Sequence, residues 1–175
     1  MNLFDNIPAG SRDEMNVIVE IPKGSSNKYE IDKATGLIAL DRANYSAAPY
    51  PCEYGFVPQT LWDDGDALDV LVLATFPVLP GILVRSRPVG IMEMIDEGEN
   101  DYKVIAVPVD DKRWDDVQDI GDINAHTLKE LQHFFETYKE LKGKGNGVVI
   151  NGFKGKEEAQ KAFEKGCQAY ADSKK

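Results

Sequence analysis

The 175-residue chain is poor in residues that several classes of protein require. Its two cysteines, Cys52 and Cys167, are far apart and fit no metal-ligand spacing, which favours a reducing cytoplasm and two small core side chains. No apolar run approaches the roughly 18 residues of a membrane-spanning helix. Residues 1–6 lack the basic and apolar regions of a signal peptide. We therefore expect a cytoplasmic protein without membrane segments.

Positive charge is scarce as well. The chain has 20 Lys and Arg residues against 30 Asp and Glu residues, which gives a formal net charge of −10. Nucleic-acid and anionic-membrane surfaces need a basic face, so the composition argues against both partners. It does not exclude an anionic small molecule, because bound cations and a few focused Lys and Arg residues can invert the local field.

Several catalytic motifs are absent. The chain lacks the Gly-x-x-x-x-Gly-Lys-Ser/Thr loop of P-loop proteins and the Gly-x-Ser-x-Gly elbow of serine hydrolases. An EF-hand that starts at Asp64 would need Gly and Glu where this chain has Asp69 and Thr75. A phosphatase with an aspartyl-phosphate intermediate stays open in principle. Its nucleophilic Asp would be expected after a buried strand, whereas here the apolar run follows the acids.

The most informative stretch is acidic. Residues 63–69 contain four carboxylates and run directly into the apolar residues 70–74, which predict a buried strand. Mg²⁺ and Ca²⁺ select oxygen ligands, so carboxylates held at the mouth of such a strand are candidates for metal ligands. Gly65 allows the chain to bend, so that three acids can converge: Asp64, Asp66 and Asp69. The alternative is an acidic surface turn without a ligand.

Hydrophobic periodicity predicts an α+β fold. Alternating or β-branched segments predict strands at residues 16–22, 28–31, 37–42, 70–74, 82–84, 88–94 and 102–109. Residues 43–59 are expected to be irregular, because three prolines and a glycine interrupt them. The last third has helical spacing over residues 128–141 and around 159–170, separated by a break at 143–147 and a short strand at 148–150. Short strands followed by helices predict a β-barrel or sandwich with helices added late.

The polar residues outside the acidic stretch are individually weak signals. Glu20, Asp96 and Asp101 could be solvated acids, Lys28 and Glu30 could be a same-face ion pair, and Tyr138 could be a packing residue. Taken together, however, many carboxylates with several Lys, Arg and Tyr side chains suit metal ions and a multiply charged phosphate.

The order of these motifs resembles the family I soluble inorganic pyrophosphatases of prokaryotic type. The resemblance runs from about residue 15 to 142 and is carried by the segments 19–22, 28–32, 41–42, 50–55, 64–70, 87–90, 96–103 and 133–139. It implies one domain over residues 1–175, with an OB-like closed five-stranded β-barrel, additional short strands and two main α-helices. It also implies Mg²⁺-dependent hydrolysis of pyrophosphate to two phosphates, several Mg²⁺ ions per active site and, with the chain length, a homohexamer.

The resemblance also implies roles for individual residues. Asp64, Asp69 and Asp101 would be the main metal ligands, Asp96 would join a further metal, and Glu20 and Glu30 would support metal-bound waters or an additional ion. Asp66 would be the general base acting on the metal-bridged water. Phosphate binding would fall to Lys28, Arg42, Tyr54, Lys103, Tyr138 and Lys139, with Tyr50 near them. The family usually has proline or glutamate at the position of Ala67, so alanine is expected to leave this loop freer.

Two other functions stay open on the sequence. One is a metal-dependent phosphohydrolase that acts on nucleotides or phosphate esters. The other is a non-catalytic module, because OB-like barrels often bind single-stranded nucleic acid. The net charge of −10 and the carboxylate cluster oppose the second alternative.

Overall fold

The computed structural model describes residues 2–143 and 147–175, and within them the chain forms a mixed α+β fold. The described part contains two α-helices, α1 Ala125–Thr137 and α2 Lys156–Ser173. Its strands are β1 Met15–Ile21, β2 Asn27–Asp32, β3 Leu37–Ala43, β4 Glu53–Val57, β5 Leu68–Val72, β6 Leu83–Asp96, β7 Glu99–Asn100, β8 Lys103–Pro108 and β9 Val148–Gly155. None of the helices in these residues is both long and apolar enough to cross a membrane.

Five strands close into a ring, which confirms the expected barrel. The ring runs β1-β4-β5-β8-β6 and closes through the β1–β6 pair. Its pairs are antiparallel except for β5 with β8, which is parallel and places Asp69 opposite Lys103. Strands β7 and β9 extend the sheet from β6, and β2 with β3 forms a separate hairpin. Closure removes the unpaired edges that an open sheet of these strands would expose.

The two helices pack against different parts of the barrel core. Leu131, Phe134 and Phe135 of α1 pack in one buried cluster with residues of β1, β6 and β8. Ala159 and Phe163 of α2 pack in a second cluster against β5 and β8. Helix α1 begins at the Asn124 cap, whose side chain accepts a hydrogen bond from the His126 amide. Both cysteines are free, with Cys52 buried and Cys167 partly buried.

The expectation that residues 43–59 are irregular was wrong for β4. This strand lies between β1 and β5, and the backbone of its Gly55 packs directly on that of Ile18. Gly55 counts among the predicted interruptions, but its lack of a side chain is what allows the close approach of the two strands. The surrounding prolines end the strand without entering its ladder.

Other element boundaries also differ from the expectation. Residues 83–84 and 88–94, which were expected in two strands, are parts of one strand, β6, and Ile82 precedes it. Pro88 lies at a register shift in the β6–β8 pair, where its missing N–H is tolerated. Helix α1 stops at Thr137 instead of reaching Leu141, which is 71% exposed. Strand β9 continues to Gly155. Met1 and residues 144–146, part of the expected break at 143–147, lie outside the described residues.

The close approach at Gly55 generates a prediction about stability. An alanine Cβ at this position would lie 2.1 Å from the Ile18 carbonyl oxygen, so Gly55→Ala forces β1 and β4 apart. We expect a loss of about 1–3 kcal/mol in the free energy of unfolding, measured by urea denaturation. Gly121→Ala is the control, because a Cβ there meets nothing within 4 Å. An equal midpoint for the two variants would contradict this account of the strand contact.

Candidate active site

A cleft of about 180 Å³ opens where the mouth of the barrel meets the β2–β3 hairpin and the end of α1. Its walls come from β1, β2, β4, the loop before β5, the β6–β8 connection and the residues just after α1. Most of the residues singled out in the sequence line it, namely Glu20, Lys28, Glu30, Tyr54, Asp64, Asp66, Asp69, Asp96, Asp101, Tyr138 and Lys139. The fold therefore brings together side chains from segments more than 100 residues apart.

A buried lysine lies beneath the floor of the cleft. The Lys103 ammonium, on a residue that is 1% exposed, donates hydrogen bonds to Asp69 Oδ2 and Asp101 Oδ1, each at 2.8 Å. It also donates to the Tyr54 hydroxyl at 2.9 Å, and that hydroxyl donates to Asp69. Burial disfavours the charged ammonium, but the two carboxylates outweigh it and raise the pKa of Lys103. One fixed positive charge thus holds two acids of the cleft in place.

Other acids of the cleft are crowded and poorly hydrated. Burial, with the nearby charge of Asp69, raises the pKa of Glu20 to about 8, although the Ile31 amide donates to its Oε1 at 2.7 Å. Burial also raises the pKa values of Asp64 and Asp101. Burial removes water that would stabilise the charged form of these carboxyl groups, and a nearby positive charge could stabilise that form instead.

Asp96 and Lys139 face each other at the edge of the cleft. The Lys139 ammonium pairs with Asp96 Oδ2, and both side chains are more than four-fifths buried. The other oxygen, Asp96 Oδ1, is buried without a hydrogen-bond partner among the described residues. A buried acceptor that lacks a partner costs free energy, so this atom has unused capacity for a ligand.

The β2–β3 hairpin contributes further ion pairs. Lys28 contacts Glu30, as their shared strand face predicted, and its Nζ lies 3.1 Å from Asp41 Oδ2. Lys33, in the turn after β2, places its Nζ 2.7 Å from Asp66 Oδ1. Asp66 is the more exposed partner, with 70% of its side chain open to solvent.

Three of the predicted residues do not line the cleft. Lys103 lies beneath it, as described above, and Tyr50 is 2% exposed and packs on the rings of Tyr54 and Phe134. Arg42 is paired across the hairpin with Lys28, but its guanidinium lies 4.3 Å from the centre of the Tyr45 ring. Arg42 and Tyr50 are thus placed beside the cleft.

Sequence reasoning missed Lys33 and Phe4, which also line the cleft. Lys33 belongs to a turn, where the strand period that grouped Lys28 with Glu30 no longer applies. Phe4 comes from the segment before β1, and its backbone carbonyl accepts a hydrogen bond from the Gln59 amide at 3.0 Å. Nothing in the local pattern of residues 2–6 signals this long-range contact.

The loop that carries the acidic stretch is well connected. The Trp62 amide donates to the Asp66 carbonyl at 2.7 Å, and the Gly65 amide donates to the Trp62 carbonyl at 3.0 Å. The Asp66 amide donates to Asp64 Oδ1 at 3.0 Å, and Ala67 is buried. Gly65 adopts a φ of 84°, a conformation that favours glycine, as the expected bend requires.

The donors in the cleft suit a hard divalent cation. The acids offer several carboxylate oxygens, one of them without a partner, and no thiol faces the cleft among the described residues. Within residues 2–143 and 147–175 no three acidic, His or Cys side chains form a ready-made metal-binding group. Lysine ammonium groups form ion pairs with these carboxylates, so they supply positive charge of the kind that a bound metal cation would also supply.

Comparisons with known proteins agree with this geometry. The family model described as inorganic pyrophosphatase matches residues 17–171. The inorganic pyrophosphatase of Leifsonia xyli subsp. xyli is 50% identical over 150 residues, covering 86% of this chain and 91% of that protein. Soluble inorganic pyrophosphatase 1 of Arabidopsis thaliana is 48% identical over 166 residues, covering 95% and 77%.

A solved structure supports the same assignment. The crystal structure of inorganic pyrophosphatase from Thermus thermophilus superposes with a TM-score of 0.92 at 44% sequence identity, covering 98% of this chain and 99% of that one. The ring of five strands, the acidic cleft and the matched sequence thus point to one group of enzymes. The chain belongs to the inorganic pyrophosphatase family of hydrolases.

Proposed function

We propose that this chain hydrolyses inorganic pyrophosphate to two orthophosphates and depends on Mg²⁺. Family membership supports the reaction. The observation that carries the proposal is the cluster of Asp69, Asp101 and Lys103 under the cleft, where anionic and cationic groups suited to metal and phosphate lie within hydrogen-bond distance. Asp96 Oδ1, which has no hydrogen-bond partner among the described residues, adds an oxygen ligand at the edge of the same cleft.

The carboxylates would hold the cation. Asp64, Asp69 and Asp101 would be the main ligands, Asp96 would join a further ion, and Glu20 and Glu30 would bind metal-associated waters or an additional ion. Bound Mg²⁺ supplies positive charge that neutralises phosphate oxygens and lowers the pKa of water. Several Mg²⁺ ions per site would accommodate this number of acids.

The basic and phenolic side chains would bind the phosphates. Lys28 and Lys139 already lie on the wall of the cleft with their ammonium groups among its acids, and Tyr54 and Tyr138 add neutral donors. Lys103 would act from beneath. Arg42 would reach a phosphate once its guanidinium leaves the Tyr45 ring, and Tyr50 would support the neighbouring Tyr54 ring.

Asp66 would be the general base. Its exposed carboxylate borders the cleft, where it can accept a proton from the attacking water. The water oxygen then forms a bond to one phosphorus as the bridging P–O bond breaks, and the second phosphate leaves with its charge held by the surrounding donors. Positioning and electrostatic stabilisation would supply most of the rate.

The first test is phosphate release from pyrophosphate by the purified protein. We expect rapid release with Mg²⁺ and loss of release when a chelator removes it, because uncompensated carboxylates repel the substrate. ATP and a simple phosphomonoester should be hydrolysed far more slowly. Undiminished release in chelator would exclude the metal dependence, and preference for a phosphate ester would favour the broader phosphohydrolase.

The second test is Asp66→Asn. At saturating Mg²⁺ we expect turnover to fall by about 10²–10⁴-fold, the usual contribution of acid–base catalysis, while Mg²⁺ affinity changes little. Asp110→Asn is the control, since it removes the same charge from an 81% exposed side chain paired with Arg85. Near-wild-type turnover in Asp66→Asn would exclude Asp66 as the base.

We also propose a homohexamer. The number of subunits comes from the family resemblance, and an apolar surface supports association: Phe76, Leu79, Ile82 and Leu83 lie close together in sequence and are 41–73% exposed. We expect sedimentation to give the mass of six chains. The double variant Phe76→Ser with Leu79→Ser should give a smaller species. A monomeric wild-type protein would contradict this proposal.

A cytoplasmic location is proposed on the basis of the free cysteines. Both thiols are at least partly buried, as expected for small packing residues in a reducing compartment. Recovery of the protein in an extracytoplasmic cell fraction would contradict the proposal.

A further inference from the structure

The C-terminal helix α2 contacts the loop that carries the acidic stretch. Lys165 Nζ lies 2.6 Å from Asp63 Oδ1, and the same ammonium lies 4.2 Å from the centre of the Trp62 ring. Asp63 thus points to the helix, whereas Asp64, Asp66 and Asp69 line the cleft.

The backbone of α2 reinforces this contact. The Gly166 carbonyl accepts a hydrogen bond from the Leu61 amide at 3.0 Å. A Cβ on Gly166 would lie 3.2 Å from Thr60 Cβ, which is tighter than an ordinary van der Waals contact, so glycine favours this close approach of the helix to the loop. Thr60 is fully buried, and its hydroxyl donates to the Val57 carbonyl and accepts from the Leu68 amide.

Hydrogen bonds within the loop connect the contact with α2 to the carboxylates of the cleft. Trp62, under the Lys165 ammonium, exchanges backbone hydrogen bonds with Gly65 and Asp66. Asp63 also accepts a hydrogen bond from Asn100 Nδ2 at 3.2 Å, and the next residue is Asp101. Lys165 therefore contacts the two residues that directly precede Asp64, without entering the cleft itself.

We propose that Lys165 is a positioning residue: through Asp63 and Trp62 it fixes the loop that presents Asp64, Asp66 and Asp69, and so sets the affinity for the divalent cation. The inference rests on the proposed function, in which these carboxylates hold Mg²⁺. Partners that orient metal ligands typically contribute 10–100-fold to metal affinity.

The sign of the effect separates positioning from simple electrostatics. Removing the Lys165 charge makes the surroundings of the cleft more negative, which by itself would strengthen the binding of a divalent cation. Releasing the loop would weaken binding, because the ligands must then be ordered when the cation binds. The two explanations predict opposite changes for one substitution.

Lys165→Met tests the proposal in the full-length protein, with Mg²⁺ alone titrated by calorimetry. We expect the Mg²⁺ dissociation constant to rise about tenfold, while turnover at saturating Mg²⁺ stays within about twofold of wild type. The separate variant Lys165→Arg should keep most of the wild-type affinity for Mg²⁺, because a guanidinium can pair with Asp63 and stack on Trp62.

Lys161→Met is the matched control. Lys161 lies one turn earlier on α2 and forms ion pairs with Glu157 and Glu158 of its own helix, so its removal changes the net charge equally without breaking the ion pair with Asp63. It should leave the Mg²⁺ dissociation constant within about twofold of wild type. Unchanged or tighter Mg²⁺ binding by Lys165→Met, or an equal loss in Lys161→Met, would overturn the proposal.

A second variant covers the case in which Lys165→Met fails to fold. Asp63→Asn removes the ion pair with Lys165 from the side of the loop and should weaken Mg²⁺ binding more than Asp110→Asn, which removes an equal charge from the surface. Equal affinities in these two variants would overturn the proposal. Mg²⁺ binding is measured without substrate. A wild-type protein that binds Mg²⁺ but releases no phosphate would therefore refute the proposed reaction and leave the proposal for Lys165 intact.

Discussion

The buried Lys103 ammonium is the charge on which the cleft depends. Two carboxylates beside a closed barrel would repel each other and would lose hydration, and either effect alone opposes folding. With Lys103 between Asp69 and Asp101, both acids stay close while the barrel core remains packed. Placing two negative charges at the mouth of the barrel costs free energy. The fixed positive charge of Lys103 offsets this cost.

The same arrangement recurs around the cleft with different partners. Lys139 pairs with Asp96, Lys28 with Glu30, and Lys33 with Asp66. The most exposed of these pairs, Lys33 with Asp66, adds little stability, so its presence is better explained by the chemistry proposed for the cleft than by the stability of the fold. Groups suited to cations and groups suited to phosphates are held within reach of each other before any ligand binds.

Local patterns predicted the α+β class and most strands, because alternation and helical spacing follow from burial on one side of an element. They failed at β4, where Gly55 predicted an interruption, and at β6, which was expected as two separate strands. Only the neighbouring strand shows why Gly55 and Pro88 are tolerated. Most of the residues that the family resemblance implied line the cleft, and their roles stay a prediction. The contacts of Lys33 and Lys165 were not predicted. Lys33 lies in a turn, and Lys165 contacts a residue about 100 positions away, so neither contact produces a periodic pattern in the sequence.

The parallel pairing of β5 with β8 has a consequence for local unfolding. Asp69 and Lys103 belong to different strands of this pair, so parting the strands separates the charges in the same event. A conformation in which β5 and β8 have parted therefore has no intact cleft floor, and this opening also exposes apolar core to water. Site integrity and barrel closure form one cooperative unit, whereas the separate β2–β3 hairpin can fray without breaking the ring.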